Sequence, residues 1–335
     1  MPPPDSNSAE PGNAATAIPV RPRIDLSVII VTRNTCSLTL AAIRSVFESR
    51  DDLEKEVVVV DNGSSDGTPE AVRAEFPEMR LLRRERNLGF AAANNLGAAA
   101  TTGQLLLLLN SDARLNADTL SEAVVWMRQN PGCGVAGVQL LNADGSPQNS
   151  IANFPSAATE LLNKSLLRRL FPRRFPGKES RLSAPIEVES VIGAFLLVRR
   201  SLWDLVGGLD ERYFFFLEET DLCLQARRHG WKVFHLPQVQ VWHGQGGSAR
   251  QWPAAARIEY WRSRYAYFEK NHSRSVCGLV RMGLALRLAV DWLASGLLAL
   301  LTFGRSPRWR EKWRTNTALG LWHLRGCPAG AGLPR

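Results

Sequence analysis

The sequence predicts an α/β fold with a mostly parallel central sheet flanked by helices, and three observations support this fold class. Apolar runs rich in β-branched residues or leucine occur at 25–32, 56–60 and 104–109. Such runs are typical of strands that are buried on both faces. Segments with a helical spacing of apolar residues separate them, and this alternation predicts a parallel sheet. Acid and amide residues follow three of the predicted strands, where sheets of this kind bind ligands.

Residues 25–141 alternate regularly between predicted strands and predicted helices. The five leucines at 105–109 are predicted as a strand, because a membrane span needs about 20 apolar residues. The predicted strands are 25–32, 56–60, 79–83, 104–109 and 133–141, and the predicted helices are 37–49, 68–76, 91–100 and 117–129.

The second half of the chain is less regular. A basic, proline-rich stretch at 163–184 predicts a mobile loop over the site. Ser201 is the expected N-cap of a short helix, and Gly230 the expected end of a longer helix that follows an aromatic segment. The remaining predicted elements are strands at 187–199 and 231–235, a loop at 241–248, and helices at 201–206 and 254–270.

The composition excludes several classes of protein. With 45% hydrophobic and 22% charged residues, the chain can bury a full core and is not a disordered protein. The five cysteines are scattered and include no CxxC pair, which argues against a disulfide framework or a structural zinc site and favours reduced thiols. Residues 1–22 lack the apolar core of a signal peptide and are predicted to form a disordered leader.

The net charge of +9 is distributed unevenly along the chain. Residues 250–335 hold 15 basic and 4 acidic residues, a net charge of +11, whereas residues 1–249 carry −2. Six of the ten tryptophans also lie in residues 250–335. A tail with this charge predicts an anionic partner, either nucleic acid or an anionic membrane surface.

Polar clusters occupy the ends of three predicted strands, at 32–34, 61–66 and 110–112. Asp, Asn, Ser and Gly are also common turn formers after strands, so one such cluster alone would mean little. Because the carboxyl ends of parallel strands lie at one edge of the sheet, three clusters in register favour a ligand site there.

Six motifs together resemble family 2 glycosyltransferases, which have the GT-A fold. They include Asp-Asn-Gly-Ser-Ser-Asp-Gly, Asn-Leu-Gly-Phe, Asn-Ser-Asp and Trp-His-Gly-Gln-Gly-Gly-Ser. The resemblance covers about residues 25–270 and is greatest to bacterial rhamnosyltransferases. In the order of the family, the motifs lie at 27–34, 57–68, 87–97, 109–112, 216–224 and 242–248.

The resemblance implies inverting transfer of a sugar from a nucleotide-diphosphate donor, with dTDP-rhamnose as the expected donor. Inversion needs one base, which deprotonates a hydroxyl of the acceptor. A divalent cation, Mg²⁺ or Mn²⁺, can neutralise the charge that develops on the leaving diphosphate. The implied acceptor is a glycan in cell-surface polysaccharide synthesis, expected to be carried on a polyprenyl lipid.

Asp112 is the first candidate metal ligand. It closes an Asn-Ser-Asp segment where the family has an Asp-x-Asp element, so Asn110 replaces the first carboxylate and puts strict metal dependence in question. His243 matches the histidine of the family's late loop and is the second candidate, although a lone histidine is also a common structural residue. An imidazole ligand favours Mn²⁺ over Mg²⁺.

The remaining residues at the strand ends resemble the donor-binding residues of the family. Asp61 and Asn34 are expected to contact the base and ribose, because a carboxylate accepts from a ring N–H or a sugar hydroxyl. Asp66 is a secondary candidate, and Asn94 could equally be a packing amide. The predicted donor-binding residues are Thr32, Arg33, Asn34, Asp61, Asn94, Asn110 and Ser111.

Glu219 is the expected base, because many relatives have their base at the second position of the Glu218-Glu219 pair. Glu218 would orient it, and two adjacent carboxylates can raise one pKa. Asp221 is the rival base, and an acidic first helical turn exposed to solvent is the structural alternative. The residues expected to line the acceptor or donor sugar are Gly193, Ala194 and Trp242.

The apolar stretch at 276–303 is long enough to span a membrane, but Arg281, Arg287 and Asp291 interrupt it. Each charge would cost about 2.5–3.5 kcal/mol near the bilayer centre. We therefore expect an interfacial helix, or a helical hairpin broken near Ser295-Gly296. Basic residues interleaved with tryptophan follow and favour an anionic headgroup surface, and no nucleic-acid-binding module is recognisable. A C-terminal core helix with a solvated basic face is the alternative.

These patterns divide the chain into a leader at 1–22, a GT-A domain at 23–272 and a membrane-associating helical segment at 273–335. The expected location is the cytoplasm, peripherally on the inner face of the cell membrane. Two other functions remain open: a nucleotidyltransferase on a related scaffold, and a non-catalytic, membrane-recruited protein that binds nucleotide sugars. The segment at 32–35 lacks the glycine-rich loop that a nucleotidyltransferase would need.

Overall fold

The N-terminal half of the central sheet is parallel and follows the predicted alternation. A computed structural model describes residues 24–171, 183–244 and 252–335. Within them, β1 (Leu26–Thr32) pairs in parallel with both β2 (Lys55–Asn62) and β4 (Leu105–Asn110), and β2 pairs with β3 (Arg80–Arg84). The leucine run of β4 is fully buried. These strands bring residues 32, 61 and 110 to the same edge of the sheet, as the sequence predicts.

The other half of the sheet is mixed. β10 (Phe195–Arg199) is inserted antiparallel between β4 and β6 (Cys133–Leu141). β11 (Lys232–His243) continues in parallel from β6, and β5 (Ala113–Leu115) closes this edge. Among the described residues, six of the nine strands of this sheet therefore run in one direction. The α/β fold class and the predominantly parallel sheet are confirmed.

The single strand predicted at 187–199 is wrong, because the segment divides into three short strands. β8 (Ile186–Glu187) pairs with β11, and β9 (Ser190–Val191) pairs with β7 (Ile151–Ala152) in a separate ribbon. Each piece pairs with a different neighbour, so the chain must turn between them. It turns last at Gly193 and Ala194 before it enters β10.

Helices cover both faces of the sheet, because alternate strand residues point to opposite sides. Val28 and Ile30 pack into the cluster covered by α1 (Cys36–Phe47), α2 (Thr68–Glu75) and α4 (Thr119–Gln129). Ile29 packs on the other side. Fully burying each such side chain contributes about 1.5–3 kcal/mol. The helices of that second face are α3 (Phe90–Ala99), α7 (Arg200–Val206) and α8 (Glu218–Arg228).

Two local predictions need correction. Ser201 is not an N-cap, because α7 begins one residue earlier, at Arg200, with Arg199 in the N-cap position. The Arg199 guanidinium binds the carbonyl oxygens of Met127 and Cys133 and holds the chain at this point. Residues 164–170 are helical rather than a loop, since Asn163 caps α6 (Lys164–Leu170). The helix α5 (Ala157–Leu161) precedes it.

The late loop predicted at 241–248 begins later than expected. Residues 241–243 extend β11, because they pair with both β6 and β5. The remainder of that loop from 245, the leader at 1–22 and residues 172–182 of the proline-rich stretch lie outside the described residues.

The C-terminal region consists of three packed helices. α9 (Pro253–Asn271) supplies Tyr265 and Phe268 to an aromatic cluster, and α10 (Arg274–Leu301) and α11 (Pro307–Leu324) close over it as a hairpin. The hairpin turns at 302–306, so the break predicted near Ser295-Gly296 is wrong. The Asn316 amide donates to the Ser295 hydroxyl, and Gly296 lies against the Trp313 ring. These small residues provide close helix contact rather than a turn.

The last described residues return to the ligand edge of the sheet. The carbonyl oxygen of Pro334 accepts hydrogen bonds from Arg33 Nη1 (3.1 Å) and Asn87 Nδ2 (2.7 Å). The Arg335 guanidinium lies over the Phe214 ring, 4.8 Å from its centroid. The basic C-terminal region is thus in contact with the α/β body.

Candidate active site

The donor edge is formed where β1 and β2 end side by side. Thr32 is in register with Asp61, and both are almost fully buried. Asp61 Oδ2 accepts from the Ser64 backbone N–H, but Asp61 Oδ1 is buried without a hydrogen-bond partner. Buried carboxylate oxygens rarely lack a donor, so Oδ1 is free to accept from an N–H or O–H of a bound molecule.

Asn34 and Asp66 hold the loops around this edge. Asn34 has a positive φ of 54°, and its Oδ1 accepts from the Ser65 backbone N–H. Asp66 accepts from the Thr68 hydroxyl and the Cys36 N–H. Burial alone would raise the pKa of Asp66, but these hydrogen bonds outweigh it and lower the pKa. Both side chains already have partners inside the protein.

A chain of hydroxyl groups joins the ends of β1 and β4. Thr32 Oγ1 lies 2.7 Å from Thr39 Oγ1 and 3.0 Å from Thr35 Oγ1. Thr35 Oγ1 in turn lies 3.0 Å from Ser111 Oγ. Thr32 and Ser111 are therefore linked through Thr35, whose role the sequence analysis missed although it lies in the Thr-Arg-Asn-Thr segment.

Two other predicted donor-binding residues lie in different surroundings. Asn94 is buried in α3, and its amide donates to the Phe90 carbonyl oxygen at 2.9 Å. It thus has the packing contact that the alternative interpretation describes. Arg33 contacts Pro334, and burial lowers the pKa of its guanidinium.

Asp112 and His243 meet at the adjacent corner. His243 Nε2 lies 3.3 Å from Asp112 Oδ1, and both side chains are mostly buried. Asn110 Nδ2 lies 3.3 Å from the same nitrogen. Among the described residues, no third His, Cys, Asp or Glu completes a metal-binding group with this pair. The structure therefore brings together the two predicted metal ligands and the amide that replaces the family's first carboxylate.

Gln148 fixes the tautomer of His243. The Gln148 amide nitrogen donates to the carbonyl oxygens of Leu141 (3.0 Å) and His243 (2.7 Å), which orients Oε1 towards His243 Nδ1 at 3.0 Å. Nδ1 must then carry a proton, so Nε2 is the ring nitrogen that could bind a metal ion at this corner. A carboxylate beside an imidazole nitrogen is a donor set that fits Mn²⁺ or Mg²⁺. The sequence analysis missed Gln148, which no motif marks.

The acid pair lies in the first turn of α8. The two residues before it, Phe216 and Leu217, both have positive φ, at 74° and 70°. Non-glycine residues rarely adopt this conformation, and it persists where the surrounding structure imposes it. Here it directs Glu218 and Glu219 into the interior, where one oxygen of each carboxylate is buried without a hydrogen-bond partner.

The two carboxylates differ in their electrostatics. Burial raises the pKa of Glu219. Burial, together with the charge of Glu219, raises the pKa of Glu218 well above its ordinary value. The charge of Glu219 thus favours the protonated form of Glu218. Raised carboxyl pKa values are typical of groups that exchange protons with a substrate.

Gly193 and Ala194 connect the acid pair to the metal corner. A methyl group at Gly193 would lie 3.5 Å from Glu219 Cβ and Cγ, and the Ala194 carbonyl oxygen accepts from the Asn110 N–H at 3.1 Å. This turn is thus in contact with Glu219 on one side and Asn110 on the other. The structure brings these predicted residues together.

Asp221 and Trp242 are engaged elsewhere. Asp221 Oδ2 accepts from Lys270 Nζ at 2.6 Å, and Oδ1 from Asn271 Nδ2 at 2.9 Å. These contacts anchor α9 to α8 and leave Asp221 little freedom to act as a base. Trp242 Nε1 donates to Asn116 at 3.0 Å, and strand alternation directs its ring away from the face that His243 occupies.

Comparison with known proteins agrees with this geometry. The model of the family "Glycosyl transferase family 2" matches residues 27–206. An N-acetylglucosaminyl-diphospho-decaprenol L-rhamnosyltransferase of Mycobacterium tuberculosis is 30% identical over 297 residues, which is 84% of this chain and 92% of that protein. The dTDP-rhamnosyl transferase RfbF of Shigella flexneri is 23% identical over 57% of this chain and 60% of its own length.

Two solved structures share the fold. The mannosyltransferase PcManGT from Pyrobaculum calidifontis, in complex with GDP-Man and Mn²⁺, has a TM-score of 0.53 at 20% identity and covers 90% of this chain and 88% of its own. GalNAc-T7, with UDP, GalNAc and Mn²⁺, has a TM-score of 0.54 at 17% identity and covers 74% of this chain and 48% of its own. Together with the family match, these likenesses confirm the GT-A-like fold, and the chain belongs to glycosyl transferase family 2.

Proposed function

We propose that this glycosyltransferase inverts the anomeric centre of a nucleotide-activated sugar, with rhamnose from dTDP-rhamnose as the sugar, and transfers it to a glycan hydroxyl on a polyprenyl-linked acceptor. One observation carries the proposal: an unbroken series of contacts links Glu219, Gly193, Ala194, Asn110 and the Asp112–His243 corner. A proton acceptor and a site for a leaving diphosphate are thereby held in one fixed arrangement.

Glu219 acts as the base. Its carboxylate takes the proton of the acceptor hydroxyl as the hydroxyl oxygen forms a bond to the anomeric carbon. The bond from that carbon to the β-phosphate oxygen breaks, and the leaving nucleoside diphosphate takes the electron pair. The raised pKa of Glu218 favours its protonated form, which would keep a second negative charge away from the incoming oxygen.

Asp112 and His243 would hold a divalent cation, because their oxygen and nitrogen donors fit Mn²⁺ or Mg²⁺. When bound, the cation would stabilise the negative charge on the leaving diphosphate. Gln148 holds the His243 ring so that Nε2 faces Asp112.

Asp61 binds the nucleotide. Its buried, unpartnered Oδ1 accepts from a ring N–H or a ribose hydroxyl at the ends of β1 and β2. The rhamnose donor is supported by the two relatives named for rhamnosyl transfer. The first of these is also named for a decaprenol-linked substrate, which supports a lipid-linked acceptor.

The α10–α11 hairpin docks on the inner face of the cell membrane. Among the described helices, α10 is the one that is long and apolar enough to cross a membrane. However, Arg281, Arg287 and Asp291 flank the buried side of α10, which favours docking in the membrane plane. Residues at intervals of three and four form an exposed apolar face on its other side. They are Leu279, Met282, Leu286, Val290, Leu293, Leu297 and Leu300.

The test is a transfer assay with purified protein, Mn²⁺, dTDP-rhamnose and N-acetylglucosaminyl-diphospho-decaprenol in detergent. We expect a rhamnosylated lipid whose anomeric configuration is opposite to that of the donor, and loss of the product on chelation of the metal. Retention of configuration would refute the inverting mechanism. Transfer only from other nucleotide sugars would refute the rhamnose assignment.

A further inference from the structure

A cavity of about 600 Å³ lies between the α/β body and the C-terminal helices, outside the site described above. α9 forms one wall, α10 and α11 form the others, and Phe216 closes the end next to α8. Phe216 precedes the acid pair by two residues, so this end of the cavity lies next to the N-terminal end of α8. A cavity between a membrane-facing helix and the helix that bears the candidate base is a suitable place for a lipid-linked substrate.

The cavity carries positive charge that the protein does not neutralise. Its lining includes three arginines and two acids. Both acids are already ion-paired, Glu160 with Arg264 at 3.0 Å and Asp291 with Lys312 at 3.0 Å. In the part of the chain that the structure describes, the other two arginines, Arg257 and Arg287, form no ion pair. Arg287 Nη1 makes one long hydrogen bond, to the Glu160 carbonyl oxygen at 3.5 Å, which leaves most of its donors available to an anion.

A buried donor is also available in this cavity. Trp261 lines the wall and is 4% exposed, and its Nε1 has no hydrogen-bond partner. Arg264 lies over the Tyr260 and Trp261 rings and is held there by Glu160, so it supports the wall rather than serving a ligand. An unsatisfied buried N–H beside two unpaired guanidinium groups is the pattern of an anion site.

The position of Arg287 on α10 sets the level of the site relative to the bilayer. Arg287 is exposed on α10, at the border between the protein-facing side and the exposed apolar face. When that face rests on a bilayer, Arg287 lies at the level of the lipid head groups. The isoprenoid chain can then remain in the bilayer while its phosphates enter the cavity.

We propose that this cavity binds the diphosphate of a polyprenyl-linked acceptor, with Arg257 and Arg287 as its ligands and the Trp261 indole N–H as a further donor. The inference rests on the proposed function, since it names where that function's acceptor is held. Diphosphate recognition by paired guanidinium groups is charge-assisted and geometrically selective. The attached sugar then points past Phe216 towards Glu219.

The experiment compares two acceptors in the full-length protein. One is N-acetylglucosaminyl-diphospho-decaprenol in detergent micelles, and the other is octyl N-acetylglucosaminide, which lacks the diphosphate. We expect Arg257→Ala/Arg287→Ala to lower kcat/KM at least tenfold for the diphospho-lipid, mainly through KM, and less than twofold for the octyl glycoside.

The matched control is Arg274→Ala/Arg325→Ala, which removes two exposed arginines from the two ends of the α10–α11 segment, neither of which lines the cavity. This control should change kcat/KM by less than twofold for either acceptor. An equal loss on both acceptors in the cavity variant, or the same loss in the control, would overturn the site. If the wild-type protein glycosylates neither acceptor, the proposed function itself fails.

A third arm distinguishes the acceptor from ordinary membrane lipid. Binding to phosphatidylglycerol vesicles is measured by sedimentation for the wild type and both variants. Equal binding of the cavity variant and its control supports a site for the acceptor's diphosphate. A selective loss of vesicle binding in the cavity variant would mean that the cavity binds bulk lipid head groups instead, and would refute the proposal.

Discussion

The fold treats two pairs of carboxylates near the start of α8 in opposite ways. Asp221 and the nearby Asp210 share the Lys270 ammonium group, at 2.6 and 2.7 Å. Among the described residues, Glu218 and Glu219 form no ion pair, and each has a buried oxygen without a partner. The first set ties α9 to the body, whereas the second is held at the expense of stability. A buried carboxylate that the fold leaves uncompensated is therefore the better candidate for chemistry.

The largest expected effect that tests this comparison comes from Glu219→Gln. It removes the base but keeps the shape, so kcat should fall by about 10³-fold, equivalent to roughly 4 kcal/mol. Nucleotide binding, measured by calorimetry, should stay within twofold of wild type. Wild-type turnover in this variant would show that Glu219 is not the base.

Asp221→Asn should have the reverse effect of Glu219→Gln: it should lower stability and leave turnover nearly unchanged. Removing one partner of a buried ion pair leaves Lys270 with Asp210 alone, so the free energy of unfolding should fall by about 3 kcal/mol. Urea denaturation measures this loss. The kcat of the folded fraction should stay within fivefold of wild type. A stable protein with abolished turnover would instead support Asp221 as the rival base.

A smaller effect is expected at the metal corner. Gln148→Met removes the acceptor that holds His243 Nδ1–H, so the affinity for Mn²⁺ should fall by about 10–100-fold. Mn²⁺ titration of activity and of the bound-ion paramagnetic resonance signal provides two independent readouts. Gln139→Met is the control, because that amide bonds Leu140, Gln148 and Ser150 but not His243. Equal losses in both variants would point to general damage of the strand.

The smallest effect concerns pH. Because burial raises the pKa of Glu218 in the folded protein, the folded state holds its proton above the ordinary value of 4.5, while the unfolded state loses it. Stability should therefore fall as pH rises from about 4.5 towards the raised pKa. Glu218→Gln should flatten this slope, measured by urea unfolding between pH 4 and 7. A slope unchanged by the substitution would contradict an unpaired Glu218.

The kcat profile provides a second readout of the same pair. Glu219 must be ionised to act as a base, and burial raises its pKa. The acid limb of kcat should accordingly lie above pH 4.5, the ordinary value of a glutamate. An acid limb at or below that value would show that a hydrogen bond or a cation offsets the effect of burial on the Glu219 carboxylate in the working enzyme.

Local patterns predicted much of this molecule. The sequence patterns predicted β1, β2, β3, β4 and β6, although not the short β5. The strand-end residues 32, 61 and 110 share one edge because parallel pairing requires it. The pairing of Asp112 with His243 followed from the motifs. Each of these features depends on short sequence segments whose physical preference is strong.

Features that depend on distant contacts were not predictable in this way. Gln148 reaches His243 only because β11 extends beside β6, and nothing local marks it. Ser295 and Gly296 resemble a helix break in sequence. In the structure they are contact points between α10 and α11, where they meet Asn316 and Trp313. The return of Pro334 to Arg33 spans 301 positions and has no local signal.

The antiparallel insertion of β10 also has a consequence for biosynthesis. β10 pairs Phe195 with Leu109, so β4 gains its second neighbour only after 86 further residues have been made. At about 5–20 residues per second, its leucine-rich edge stays open for roughly 4–17 s on the ribosome. An open apolar strand edge recruits other chains. A chaperone that shields this edge during synthesis should therefore raise the yield of folded protein.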